Sequence, residues 1–182
     1  MTRQFSLLFI ALMFVLQGCA TAITKGADRR TDGVYIEDSS IEKTALERIS
    51  KQYGDKVHIN VSSYNRKVLV TGEVPEAAAK LEITRIVGTV QNVTDIFNEL
   101  TVGFHSTFSV RSNDALITSN IKIRLRNTSK DFFRADRVKV VTEKNIVYLM
   151  GLVTHAEAEV ATEVASTSSG VNKVVPYFEF ID

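Results

Sequence analysis

Residues 116–130 hold the side chains whose types and spacing most suggest chemistry. At about 100° per residue, Ile117, Ile121 and Leu125 share one helical face, which predicts a core stripe. Leu116 and Ile123 stand outside that stripe, within about 20° of each other on the same wheel. Asn120 and Asn127 extend their line. Arg126 and Lys130 lie to one side of it, with Lys122 further round, and Arg124 lies to the other. A second apolar stripe edged by basic residues suits an anionic membrane interface. Apolar groups enter the acyl boundary while Lys and Arg reach phosphates, at about 1 kcal/mol per basic residue near the surface. Leu116, Asn120, Lys122, Ile123, Arg124, Arg126, Asn127 and Lys130 are therefore the candidate phospholipid-binding set. The bland alternative is that Leu116 and Ile123 pack against the first half of the chain, residues 39–103, or a second subunit.

The other reactive position is the single cysteine, Cys19. Alone it can close no intramolecular disulfide and build no zinc site. Its setting explains it. Arg3 starts an export-type segment, Phe5 to Leu16 form a short apolar run, and the span is too short for a membrane helix of about 20 residues. Leu16-Gln17-Gly18-Cys19 resembles the bacterial lipobox, which implies diacylglyceryl attachment to Cys19 and cleavage before it. Stable anchoring needs more than one acyl chain, each buried CH₂ contributing about 0.8 kcal/mol. Ala20, where Gram-negative inner-membrane lipoproteins carry Asp, points to the outer membrane.

Catalytic and metal signals are weak. His58, His105 and His155 fall on a strand, a linker and a helix start, and only His155 has a carboxylate, Glu159, one turn on. Ser40-Ile41-Glu42-Lys43 fits S-x-x-K and Ser63-Tyr64-Asn65 fits S-x-N, but K-T-G is missing from the set. No nucleophile elbow, dinucleotide fingerprint or P-loop occurs. The expectation is no enzyme, no metal and no cofactor. A net charge of +1 on 182 residues, 45% of them hydrophobic, is ordinary globular composition with no global signal for nucleic acid. Neither a nucleic-acid partner nor a small-molecule substrate is expected.

The elements that position these residues come in two copies. Val68 to Val74 and Val147 to Val153 are β-branched runs with Gly72 and Gly151 near their ends. Each follows a strand-like run and a polar turn, and each precedes a helical stretch and a closing strand. Gly at such a place marks a bulge or a close backbone approach. Helical spacing of Ile41, Ala45, Leu46 and Ile49, then of Ala79, Ile83, Ile86, Val87 and Val90, gives the order α-β-β-α-β. Ser39 with Glu42, and Thr154 with Glu157, have capping-box spacing. The division reads as 1–18 signal, 19–38 lipidated flexible tether, 39–103 first module, 104–111 linker and 112–182 second module, with the helix of interest starting near Asn113. Each module is near the lower size limit for its own core, so the two are expected to pack together.

The apolar runs leading into Gly72 and Gly151, with Gln91-Asn92-Val93 and Ser169-Gly170-Val171 before the last strands, resemble the BON domain. Asn92 stands where the second copy has Gly170. The resemblance spans about residues 39–182 and implies an α+β fold of two tandem modules, each a small three-stranded mixed sheet on two helices. With the signal and Cys19, the layout is similar to the dual-BON outer-membrane lipoproteins. That likeness implies a lipid-anchored protein on the periplasmic face of the outer membrane that binds phospholipid and supports envelope integrity. The alternatives are an adaptor for an outer-membrane assembly machine, or a haemolysin-like membrane-perturbing protein.

Overall fold

The computed structural model describes residues 28–182. The signal segment 1–18, Cys19 and residues 20–27 of the expected tether lie outside the described residues.

The rest of the tether, 28–38, is a correction. Helix α1 runs Asp32–Tyr53, capped by Thr31, whose side chain accepts from the Val34 amide at 3.2 Å. It starts seven residues before Ser39, so Ser39 and Glu42 form no capping box. The Ser39 hydroxyl bonds back to the Tyr35 carbonyl, and Glu42 accepts from the Ser63 amide at 2.7 Å and pairs with Lys139. The mixed charge that reads as a leash is internally neutralised. The Arg30 guanidinium is held by Asp28 at 2.7 Å and Asp38 at 2.8 Å and lies 4.0 Å from the centre of the Tyr64 ring. Arg29 reaches across to Glu157 at 2.5 Å.

The first module continues with β1 (His58–Tyr64), β2 (Lys67–Val74), α2 (Ala77–Gly88), β3 (Asp95–Asn98) and β4 (Thr101–Val102). The second has α3 (Phe108–Arg126), β5 (Val138–Glu143), β6 (Ile146–Val153), α4 (His155–Ser166) and β7 (Lys173–Phe180). Here too a boundary moves. Thr107 caps α3 by accepting from the Val110 amide, so the second half of the expected linker 104–111 is helix. Thr154 and Glu157 do form a capping box on α4.

Each sheet is mixed. β1 and β2 are antiparallel, as are β5 and β6, while β3 and β4 run parallel to β2 and β7 runs parallel to β6. Both hairpins close through two left-handed residues, Asn65 (φ 51°) with Arg66 (φ 66°), and Lys144 (φ 49°) with Asn145 (φ 63°), the geometry that matches strand twist. A buried aspartate from the first helix of each module holds that turn. Asp38 accepts from the amides of Asn65 at 2.9 Å and Arg66 at 2.8 Å. Asp114 accepts from those of Lys144 and Asn145, both at 2.9 Å.

The repeated glycines have the structural role expected of them. A Cβ on Gly72 would stand 1.9 Å from the His58 carbonyl oxygen, and one on Gly151 would stand 2.5 Å from that of Arg137. Asn92 (φ 68°) and Gly170 (φ 84°) share a left-handed backbone, which Asn tolerates, so the difference between copies leaves the turn intact.

Alternation along the strands sends Val61, Val68, Val70 and Val74 toward α1 and α2, and Val140, Val147, Leu149 and Val153 toward α3 and α4. The opposite faces meet each other. Tyr64, Leu69, Tyr148 and Met150 form one buried cluster between the sheets, joined by Phe97 stacked on Tyr177 at 4.0 Å. The layers are therefore helices, sheet, sheet, helices.

Asp38 also accepts from the buried Ser63 hydroxyl at 2.6 Å and carries the Arg30 ion pair. Asp38→Ala is expected to cost about 3–5 kcal/mol, as removal of one partner of a buried pair does. Asp114→Ala, which strands two turn amides, should cost about 2–3 kcal/mol. Urea unfolding followed by circular dichroism measures both.

Candidate functional site

Helix α3 is built by its buried stripe. Ile117, Ile121 and Leu125 enter the second core, Asp114 holds the hairpin turn, and Thr118 bonds Thr142 at 2.7 Å. Fixing that side turns the other to the surface. Leu116 is 64% exposed and Ile123 51%. Neither is enclosed between the modules. The structure adds a residue that sequence reading missed: Phe108, 78% exposed, on the first turn and the same side. Placing the helix start near Asn113 hid it; Thr107, a residue type that caps helices, was the available signal. Phe104, in the loop just before, is also fully exposed.

The basic residues divide. Among the described residues, no hydrogen bond or ion pair engages the side chains of Lys122, Arg126 or Lys130, and all three are exposed. Asn120 and Asn127 are likewise exposed along the stripe. Arg124 is a correction to the even treatment of the set. Its guanidinium is spent on the end of α4, donating to the Val164 carbonyl at 2.8 Å, to the Ser168 hydroxyl and to that of Thr167 at 2.9 Å. Lys122 lines a groove of about 840 Å³ whose other walls include Asp28, Tyr35, Ile36 and Asp136. The chain thus enters the fold beside α3.

The first module supplies an internal control. Asp38 and Asp114 stand at equivalent places, and the same offset pairs Arg48 with Arg124. Arg48 makes the same kind of contact, to the carbonyl and hydroxyl of Thr89 at the end of α2, at 2.8 and 2.7 Å. That offset sets Asp32, Ser40 and Glu47 against Phe108, Leu116 and Ile123. The contacts that hold the fold are kept in both copies, while Leu116 and Ile123 have polar counterparts in Ser40 and Glu47. The first copy exposes Ile36 (68%) and Tyr35 (56%) instead, in the groove that Lys122 lines.

The histidines are spread out. His105 bonds the Lys56 carbonyl at 2.9 Å, and His155 stacks on Phe180 and pairs with Asp182 at 2.8 Å rather than with Glu159. His58 is different. It lies at the junction of the two sheets with two buried carboxylates, Glu73 (0% exposed) and Glu143 (5%), and their donor atoms all fall within 4.8 Å of one another. Burial alone would raise the Glu73 carboxyl, but Lys144 at 2.9 Å and the Ser106 hydroxyl hold it down at about 2. Glu143 accepts from Asn60 at 2.9 Å and Thr71 at 3.3 Å, and burial, with Glu73 nearby, pushes it up.

Against known families, the family model of the BON domain matches residues 37–103 and 113–181. This chain belongs to the BON domain family. Two BON domains account for both cores and both sheets, while Asp28, Arg29, Arg30 and Phe108 lie outside the matched spans. Along nearly its whole length the chain is similar to the "Outer membrane lipoprotein DolP" of Haemophilus influenzae, at 33% identity over 99% of this chain and 97% of that one. It is 34% identical to the "21 kDa hemolysin" of Actinobacillus pleuropneumoniae over 87% of this chain and 81% of that one. Among solved structures, the C-terminal domain of CdsD, a structural protein of the type III secretion system of Chlamydia trachomatis, aligns over 84% of this chain and 99% of that one. At 11% identity and a TM-score of 0.32 that likeness carries no argument. Among the described residues, no helix is long and apolar enough to cross a membrane.

Two outcomes follow. Arg124→Ala should lower stability by about 1 kcal/mol through lost hydrogen bonds, whereas Arg126→Ala and Lys130→Ala should stay within about 0.5 kcal/mol, as thermal unfolding would show. The depressed Glu73 carboxyl contributes stability that is fully present above its ordinary value of 4.5 and is lost as pH falls toward about 2. Glu73→Gln should flatten the acid limb of the stability profile across that window.

Proposed function

We propose that the protein is a lipid-anchored module of the outer membrane's periplasmic face that binds anionic phospholipid through α3 of its second BON domain and supports envelope integrity. One observation carries the reading: Phe108, Leu116 and Ile123 face outward, opposite the core stripe, beside Lys122, Arg126 and Lys130, whose side chains have no ion pair among the described residues. Apolar side chains held outward in water gain by entering an acyl boundary, and the cations beside them gain from phosphate.

The relative named an outer-membrane lipoprotein, and the Cys19 lipobox, support the location. Acylated at Cys19, the chain would reach Asp28 in nine residues, a span of at most about 30 Å. Asp28 borders the same groove as Lys122, so the anchor and α3 would be presented to one surface. Confinement near that surface raises the effective concentration of the helix, and modest headgroup affinity is then enough. Arg124 is left out of the headgroup set because the end of α4 occupies it. A second reading, membrane perturbation, is favoured by the relative named a hemolysin.

Residues 20–182, without the acyl chains, should float with vesicles containing anionic lipid at low salt and less so at high salt. Leu116→Asp with Ile123→Asp should abolish flotation while leaving the circular dichroism spectrum unaltered. Undiminished flotation of that variant would end the lipid reading, and binding only when an envelope protein is added would favour the adaptor. Release of entrapped dye on binding would favour perturbation.

A further inference from the structure

We propose that His58, Glu73 and Glu143 form a binding site for one divalent metal ion of the zinc type, stapling the two BON domains together. The donors are an imidazole and two carboxylates, a set that suits zinc. They come from both domains. His58 and Glu73 are cross-strand partners on β1 and β2, and Glu143 ends β5 across the sheet-to-sheet junction. A tetrahedral zinc with bonds of about 2.0–2.2 Å keeps its ligand atoms about 3.4 Å apart. His58 Nδ1 and Glu73 Oε2 already stand 3.1 Å apart, and all three donors lie within 4.8 Å. A small closure of Glu143 completes three ligands, and the partly exposed His58 edge leaves water for the fourth.

Charge points the same way. Two buried carboxylates face one another, and among the described residues the only ammonium in contact with either is Lys144, which meets Glu73 alone. Its side chain is 38% exposed and rises from the hairpin turn, so it can swing into solvent. A dication replacing it would balance both carboxylates with the imidazole neutral. The site sits next to the turn that Asp114 of α3 holds, so a bound ion would also fix the lipid-facing helix against the first domain. The stretch 58–73 holds no recognisable ligand spacing, since the three donors meet only when the domains pack.

The test uses the mature acylated chain in detergent micelles, stripped with chelator and titrated with zinc chloride in a calorimeter. One ion per chain and a raised unfolding temperature are expected. Glu143→Gln, which keeps the shape and the contacts to Asn60 and Thr71, and His58→Gln should each weaken binding at least about tenfold. Lys144→Met should tighten it, because the competing ammonium is gone. Circular dichroism establishes that each variant is folded. Absence of saturable binding overturns the proposal, as does affinity unchanged in Glu143→Gln and His58→Gln, which would assign the ion to a surface pair such as His155 with Asp182. Unchanged or weaker binding in Lys144→Met overturns the exchange of ammonium for metal.

Discussion

Burial of Tyr64, Leu69, Tyr148 and Met150 between the two sheets is the constraint on which the surface of this protein depends. A module of this size has one sheet and two helices, and its second sheet face would otherwise meet water. Joining those faces forms a third core and leaves the helices as the outermost layers. Polar groups in the same junction are matched across it. Glu99 accepts from the hydroxyls of Tyr148 and Tyr177, Asn65 donates to Glu179, and Lys139 reaches Glu42. With the sheets committed to each other, each helix has one side in a core and the other in solvent. What the outer side carries is then free to differ.

The two copies use that freedom unequally. Groups that hold the fold recur: the aspartates on the hairpin turns, the arginines on the helix ends, the glycines under the crossing strand. Groups on the outer face of the first helix do not. In the first copy that face carries Lys43 paired with Glu47, an exposed pair contributing little. In the second it carries Leu116 and Ile123. Half or more of each of these side chains stands in solvent, at positions where the sister domain carries Ser40 and Glu47. The segment 28–30 touches both domains, Arg29 reaching Glu157 at the start of α4 and Arg30 pairing with Asp38 of α1.

Much of this was legible in the residues. Period-2 and period-3.6 patterning located both hairpins and the four α-helices among the described residues, because each element buries one face and its apolar residues recur at the element's own period. Helix starts were less legible. Thr31 and Thr107 cap helices whose first turns, Asp32 to Tyr35 and Phe108 to Arg111, overhang the cores and so carry no apolar period. Asp28, Arg30 and Asp38 fell within the expected flexible tether, yet they pair with one another and are partly or wholly buried, a fact that depends on Tyr64 arriving from elsewhere in the chain. Arg124 belonged by spacing to the basic rim, and only the packing of α4 against α3 shows that its donors are occupied. The junction of His58, Glu73 and Glu143 was invisible for the same reason: no local pattern encodes a meeting between two domains.

The central claim is that the outer face of α3, and not its counterpart on α1, enters the bilayer. The direct measurement places an environment-sensitive fluorophore on Leu116→Cys, Ile123→Cys and Glu47→Cys in residues 20–182, which contain no other cysteine. Vesicles containing anionic lipid are then added, with and without quenchers attached to the acyl chains. Blue-shifted, quenchable emission at positions 116 and 123 with none at 47 is the predicted result. Equal responses at all three positions, or a response confined to 47, would contradict the account.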